Sequence, residues 1–463
     1  MQTERLSTLD EFGGRNFVIP AEVKGRFRKA RTRVYTALLV VFVVLPWIKI
    51  NGLQAMLLDI PHRRFEIFGN LFLAHDTPLL FLLLAFLVLS LAAVTAAWGR
   101  VWCGWACPQT VFIDALYRQI EIWIEGDYVA RRKLRAAPMT GGKFLKIGGK
   151  WTAYFVVSAL IAHSFIAYFT GADRLLLMIA SPPGENWTYF LLVFAVTSAL
   201  VFNFGWFREQ FCIIMCPYGR FQSVLMDADT ITVAYDEKRG EPRRAPGKPG
   251  AKTGDCIGCN RCVQVCPTQI DIRNGAQLEC TNCTACMDAC DEMMRRVHKP
   301  ERLIGYRSLA GKSSLVKRPR VLALASLALI CLLSLVVITA RRDVYALSVF
   351  RAADSPYQLL PQDLVLNHFK VHVINQSQGQ EEFRISLPPD VEALGAHLTK
   401  NNPATTLQSG DSAEFQFFVT FPKTILGPDG GRTVSVQVNE SVLGLQRQAA
   451  LTLVGPQNIN PKE

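Results

Sequence analysis

A chain of 463 residues, half of them hydrophobic and with a net charge of +12, is too apolar for a disordered or fibrous protein and long enough for about three domains. The positive balance would ordinarily suggest nucleic acid, but the cations gather beside apolar runs, where membrane topology explains them, so nucleic-acid binding is set aside. Thirteen cysteines without an apparent cleavable signal peptide argue against a secreted disulfide scaffold.

The first 33 residues are polar and end in "KGRFRKARTR", which predicts a tail retained in the cytoplasm. Five apolar stretches read as membrane spans: Val34–Ile48, Pro78–Trp98, Thr152–Phe169, Trp187–Phe207 and Val321–Ala340. The basic segments 99–151 and 208–320 alternate with the cation-poor segment 171–186. That alternation predicts an inside N-terminus and an outside C-terminus, against which Lys49, Arg63, Arg64, Arg341 and Arg342 stand as conflicts. The expected organisation is a tail (1–33), a four-helix membrane domain (34–207), a cytoplasmic linker and ferredoxin domain (208–320, core 254–292), a fifth span (321–340) and an external domain (341–463).

Two short stretches at the ends of spans repeat one another: "VWCGWACPQT" and "QFCIIMCPYG". Their Cys-x3-Cys-Pro motifs lie 109 residues apart, and Trp102 with Phe211, Phe112 with Phe221 and Leu116 with Leu225 keep the same offset. The first four spans therefore read as a two-helix unit used twice, with amphipathic stretches after each motif expected along the membrane surface or against a neighbouring domain. Pro108 and Pro217 disfavour helix at the preceding cysteine and favour a new helix start, so each pair is expected at a helix-to-helix turn. A helix N-terminus beside a thiol predicts a lowered pKa, and paired thiolates bind soft metal ions or exchange electrons. Cys103, Cys107, Cys212 and Cys216 are thus the candidate catalytic and metal-binding residues. Met215 reads as packing, as does Cys331 in the last span.

Residues 236–254 are rich in proline, glycine and charge and read as a linker. Their "GAKT" is not a phosphate loop, because Ala251 stands where that loop requires glycine. The strongest signal lies just beyond: "CIGCNRCVQVCP" and "CTNCTACMDACD" repeat the Cys-x2-Cys-x2-Cys-x3-Cys run of bacterial two-cluster ferredoxins, in which the fourth cysteine serves the other cluster. One 4Fe-4S cluster is assigned to Cys256, Cys259, Cys262 and Cys290, the second to Cys280, Cys283, Cys286 and Cys266. Asp291 departs from the usual proline after the last cysteine. Haem is disfavoured, since His163 alone lies well inside a span and His75 precedes one.

Beyond the last span, "FKVHVIN", "EFRISL", "AEFQFFVTF" and "TVSVQV" alternate with period two and predict an immunoglobulin-like β-sandwich. His368 and His372 lie too far apart along a strand for a metal site and read as surface residues.

With the paired motifs, "DADTITVAYDEKRGEPR", "CNRCVQVCPTQIDIRNGAQLEC" and the trailing β-domain in view, the chain resembles the cytochrome c oxidase accessory proteins CcoG, FixG and RdxA along most of its length. The resemblance implies two 4Fe-4S clusters on the eight cysteines, copper handled by Cys103, Cys107, Cys212 and Cys216, and a cupric reductase supplying Cu(I) for cbb3-type oxidase assembly. It also implies a multi-pass protein of the bacterial inner membrane, among lipids, with a cytoplasmic ferredoxin domain and a periplasmic β-domain. Its partners would be oxidase assembly factors, a copper transporter or chaperone and a cytoplasmic electron donor, with a homodimer left open. The rival expectations are a quinol-to-ferredoxin carrier, as in the iron-sulfur subunits of periplasmic nitrate reductase systems, and a non-enzymatic assembly scaffold.

Overall fold

A computed structural model describes residues 17–50, 52–72, 76–244, 254–275, 277–308, 310, 318–341, 345–352, 355–375, 380–400, 405–408, 411–440 and 446–456. His75, the "GAKT" stretch and Arg342 lie outside the described residues. The chain divides into two compact units, Met1–Val337 and Ile338–Glu463.

Five helices of the described chain are long and apolar enough to cross a membrane: Arg26–Trp47, Thr77–Trp98, Gly141–Thr170, Trp187–Phe207 and Pro319–Ala340. The first and third begin earlier than apolarity alone predicts, because polar turns continue the helix out of the apolar region. The first has a cap that sequence-local reasoning does not find. Gly25 offers no capping side chain, and the orphan N–H groups of Phe27 and Arg28 donate instead to the Asp288 carboxylate at 3.2 and 2.7 Å. A Cβ at Gly25 would overlap Asp288.

The loop after the first span forms a three-stranded antiparallel sheet, Met56–Asp59, Arg64–Ile67 and Asn70–Phe72. Its cations are matched: Lys49 pairs with Asp173 at 2.7 Å and Arg64 with Glu66 at 3.0 Å.

The segment expected as a free tail is packed where it is described. Ala21 N–H donates to the Gln264 carbonyl at 2.8 Å, and Ala21 is buried against Val265, Ala285 and Ala289. The segment expected as a linker is likewise packed over residues 236–244. Arg239 pairs with Asp255 at 2.6 Å, and Arg244 N–H donates to the Cys256 carbonyl at 3.0 Å. Gly240 there serves close packing rather than slack, since a Cβ at that position would overlap the Tyr235 side chain.

The ferredoxin core is closed by a strand pair that its cysteine spacing does not announce, Ile231–Tyr235 antiparallel to Ile304–Ser308. Val233, Tyr235, Leu303 and Ile304 are buried there with Cys256, Cys262, Met287 and Met294. Asp291, the departure from proline, accepts from Arg302 N–H at 2.7 Å and faces Arg26 at 3.8 Å. A charged side chain thus ties the end of the second motif to the first helix.

The second unit is an antiparallel sandwich. One sheet orders strands His397–Lys400, Ser412–Pro422, Leu364–Asn375 and Tyr345–Arg351, with Gln358–Leu360 beside the third; the other orders Thr405–Leu407, Glu381–Ser386, Gly431–Glu440 and Gln446–Val454. Strict alternation buries Val365, Phe369, Val371 and Val373 against Phe417, Val419 and Phe421. His368 stacks on Phe418, ring centroids 4.4 Å apart.

Candidate functional site: two cysteine quartets beside a paired-cysteine site

Both Cys-x2-Cys-x2-Cys loops use one backbone device. Gly258 and Asn260 in the first, and Asn282 and Thr284 in the second, have φ between +50° and +70°. Left-handed residues at matching positions curl each loop so that its thiols turn inward. One cavity is lined by Cys256, Cys259, Cys262 and Cys290, and a second by Cys266, Cys280, Cys283 and Cys286, with Cys262 at its margin. Four thiols around each cavity suit a cubane cluster, which needs four thiolates at spread directions. Burial pushes Cys262 and Cys266 up to about 11 and Cys280 and Cys290 up to about 12. Bound metal would stabilise the thiolates these positions need, which couples loading to proton release.

The paired motifs are built as the prolines dictate. Cys107 and Cys216 are extended, with ψ of 126° and 111°, and each precedes a proline that opens a helix. The 109-residue repeat also extends to backbone geometry. Gly99 and Arg208 occupy matching positions with φ, ψ of 57°, −126° and 50°, −124°. Such a conformation is costly for arginine; it persists because the buried Arg208 side chain pairs with Glu121 and donates to Tyr154 Oη at 2.8 Å.

The two copies interlock. Gln222, after the second motif, donates to Cys103 Sγ at 2.9 Å. Gln109 and Asn203 exchange amide hydrogen bonds at 3.0 and 2.9 Å, and Thr95 and Tyr218 share one at 2.7 Å. The structure thus brings Cys103, Cys107, Cys212 and Cys216 into one neighbourhood, in which Cys212 feels the charges of the other three. At Cys107 the lowered pKa expected from the helix start is not what results. Burial pushes Cys103 up to about 11 against the Gln222 N–H, and pushes Cys107 up despite the N–H groups of Gln109 and Thr110. Burial, joined by the neighbouring thiols, also pushes Cys212 up. Among the described residues no three His, Cys, Asp or Glu side chains converge on one ion, so a single metal ion would have to draw these thiols together.

The stretch after the first motif does not lie on a surface. Ile113, Asp114, Tyr117, Ile120 and Glu121 are buried, packed with Tyr154, Ile161 and Phe204. Asp114 accepts from Arg31 at 2.7 Å and Arg28 at 3.1 Å and also pairs with Arg118. Arg31, which sequence reasoning left in an uninformative tail, is 2% exposed. Besides Asp114 it donates to the carbonyls of Gly104 at 3.1 Å and Cys283 at 2.5 Å. Its only sequence signal is an arginine just before an apolar run, which is indistinguishable from a topological cation.

Comparison with known proteins agrees with this construction. Residues 207–309 match a 4Fe-4S dicluster domain, residues 79–136 a 4Fe-4S binding domain, and residues 335–456 the immunoglobulin-like fold at the C-terminus of FixG. The features together define an iron-sulfur electron-transfer protein with membrane-spanning helices. Protein RdxB of Cereibacter sphaeroides is 34% identical over 88% of this chain and 89% of its own length. Protein RdxA of the same organism is 39% identical over 65% of this chain and 64% of its own length, and the nitrogen fixation protein FixG of Rhizobium meliloti is 36% identical over 64% and 58%. The chain belongs to the FixG/RdxA family.

Proposed function

We propose that this protein is a cupric reductase that delivers Cu(I) during assembly of a cbb3-type cytochrome c oxidase. Each Cu(II) takes one electron, supplied by a one-electron donor on the cytoplasmic side. Clusters held by the two quartets would supply one-electron transfer and no bond chemistry. Cys103, Cys107, Cys212 and Cys216 receive the copper, and soft thiolates favour the reduced ion. A cation entering this buried site replaces thiol protons, so uptake releases protons. In this reading the N-terminal segment and quartets face the cytoplasm and the sandwich faces the periplasm, where it meets assembly factors or a copper carrier.

The observation that supports the reading most is the contact between Gly104, beside Cys103, and the Thr281–Asn282 backbone of the second quartet. Replacing Cys103 and Cys107 by serine is expected to leave the iron-sulfur spectra intact while abolishing Cu(II) reduction, followed with a Cu(I)-trapping chelator under anaerobic conditions. Unchanged reduction would remove these thiols from the copper site. Quinol oxidation has one observation in its favour, a cleft of about 400 Å³ beside Pro108 lined by Leu39, Phe42, Phe112 and Phe165. Its lining is apolar throughout and offers a quinone head no side-chain hydrogen bond; a quinol assay on the purified protein separates the two.

A further inference from the structure

The two quartets are related by an internal repeat, yet the paired-cysteine site touches them unequally. Arg31 bridges the Gly104 and Cys283 carbonyls with one guanidinium. Arg100 donates to the carbonyls of Leu278, Cys280 at 3.3 Å and Gly219 at 3.2 Å, joining the second copy of the paired motif to the same loop. A Cβ at Gly104 would overlap the Asn282 carbonyl and fall 2.9 Å from that of Thr281. On the ferredoxin side these contacts all end on residues 278–283. At the other quartet, Cys259 is the exposed cysteine while Cys256 and Cys262 are buried.

We propose that the quartets work in a fixed order: the Cys259 quartet is the intake side, open to a one-electron donor, and the Cys283 quartet is the exit side, held against Cys103. Arg31 and Gly104 are the positioning residues that set this order. The proposal rests on the cupric-reductase reading for the identity of the final acceptor alone. The physical ground is distance and fixed charge. Glycine permits backbone-to-backbone approach that any side chain would prevent. A buried guanidinium donating to the Cys283 carbonyl places a cation and a hydrogen bond beside one quartet, and both raise the potential of a thiolate-bound centre. The second copy has Ile213 where the first has Gly104, so only one copy can make the close approach.

The test is a redox titration followed by electron paramagnetic resonance on the full-length protein in detergent, with Cys259→Ser and Cys283→Ser used to assign the two reduced signals. Arg31→Met and Gly104→Ala should each lower the midpoint of the signal that Cys283→Ser removes and leave the other in place, with Arg31→Lys restoring much of the Arg31→Met shift. Equal shifts in both signals, or none, overturn the proposal. If Arg31→Met does not accumulate, Gly104→Ala carries the test, because it strands no buried charge. In the wild-type chain, fully reduced and mixed with Cu(II) in a freeze-quench series, each electron passed from the Cys283 quartet to Cu(II) should be refilled from the lower-potential Cys259 quartet, so the Cys259-quartet signal should vanish first and the Cys283-quartet signal last. In Arg31→Met, where the potential step between the quartets is smaller, the two signals should be lost more nearly together. Prior loss of the Cys283-quartet signal overturns the order, whereas persistence of both signals sinks the copper reading and leaves the midpoint shifts to judge the proposal.

Discussion

The two copies of the Cys-x3-Cys-Pro unit share their turns, their helix starts and even the left-handed residue before the motif, yet they end in different surroundings. After the first copy, residues 108–125 run into the core and bury Asp114 among Arg28, Arg31 and Arg118. After the second, the helix Pro217–Leu225 is short and leaves Phe221 and Val224 largely exposed, an apolar face of the kind that lies against lipid. Duplication kept the geometry that presents the thiols, while the segments downstream of the two motifs diverged. The first copy anchors the N-terminal segment and the ferredoxin core, and the second leaves an apolar face exposed while lending Gln222 to Cys103.

This contrast can be broken by substitutions at matched positions, read as thermal unfolding of the full chain in detergent. The largest effect is expected at Asp114, where Asn would leave three arginines facing one another and cost about 3–5 kcal/mol. Burial alone would raise the Asp114 pKa, but Arg118, Arg31 and Arg28 hold it far below the carboxylate range. Its stabilisation is therefore complete above the free-carboxyl value and is lost only as pH falls through the depressed one, so at neutral pH the full loss should appear. A near-neutral result would mean the arginines find other partners. A smaller effect is expected at Gly99, where alanine forces a side chain into the conformation Arg208 tolerates, without the Glu121 pairing that offsets it; about 1–2 kcal/mol should be lost. Ser223, which matches Asp114 in the second copy and is exposed, should accept alanine within about 0.5 kcal/mol. A Ser223→Ala loss as large as that of Asp114→Asn would show that both copies are anchored alike.

Much of the site was legible beforehand because its chemistry is local. Two-residue spacers between Cys256, Cys259 and Cys262 leave the chain few ways to wrap, and proline after Cys107 and Cys216 disfavours helix at the cysteine. Period-two alternation along Leu364–Asn375 likewise settles which face is buried. Other features were not legible. The strands Ile231–Tyr235 and Ile304–Ser308 are separated by the whole ferredoxin core, so neither announces its partner. The packing of residues 236–244 was masked by a composition that serves linkers and tight turns equally. The Cys107 pKa went the opposite way from the helix-start argument because burial, a property of the folded whole, outweighs the first-turn N–H groups.

Sequence by itself determined the inventory: five apolar helices, eight cysteines in ferredoxin spacing, two matched thiol pairs and an alternating β-domain. Each of these arises from residues within a few turns of one another, where covalent geometry and hydrophobic period decide the outcome. Tertiary structure alone decided that Asp288 caps the first helix, that Arg31 binds Gly104 and Cys283 at once, and that one quartet rather than the other lies against Cys103. Those facts depend on groups up to 261 positions apart, and a chain fixes such meetings only through the packing of everything between them.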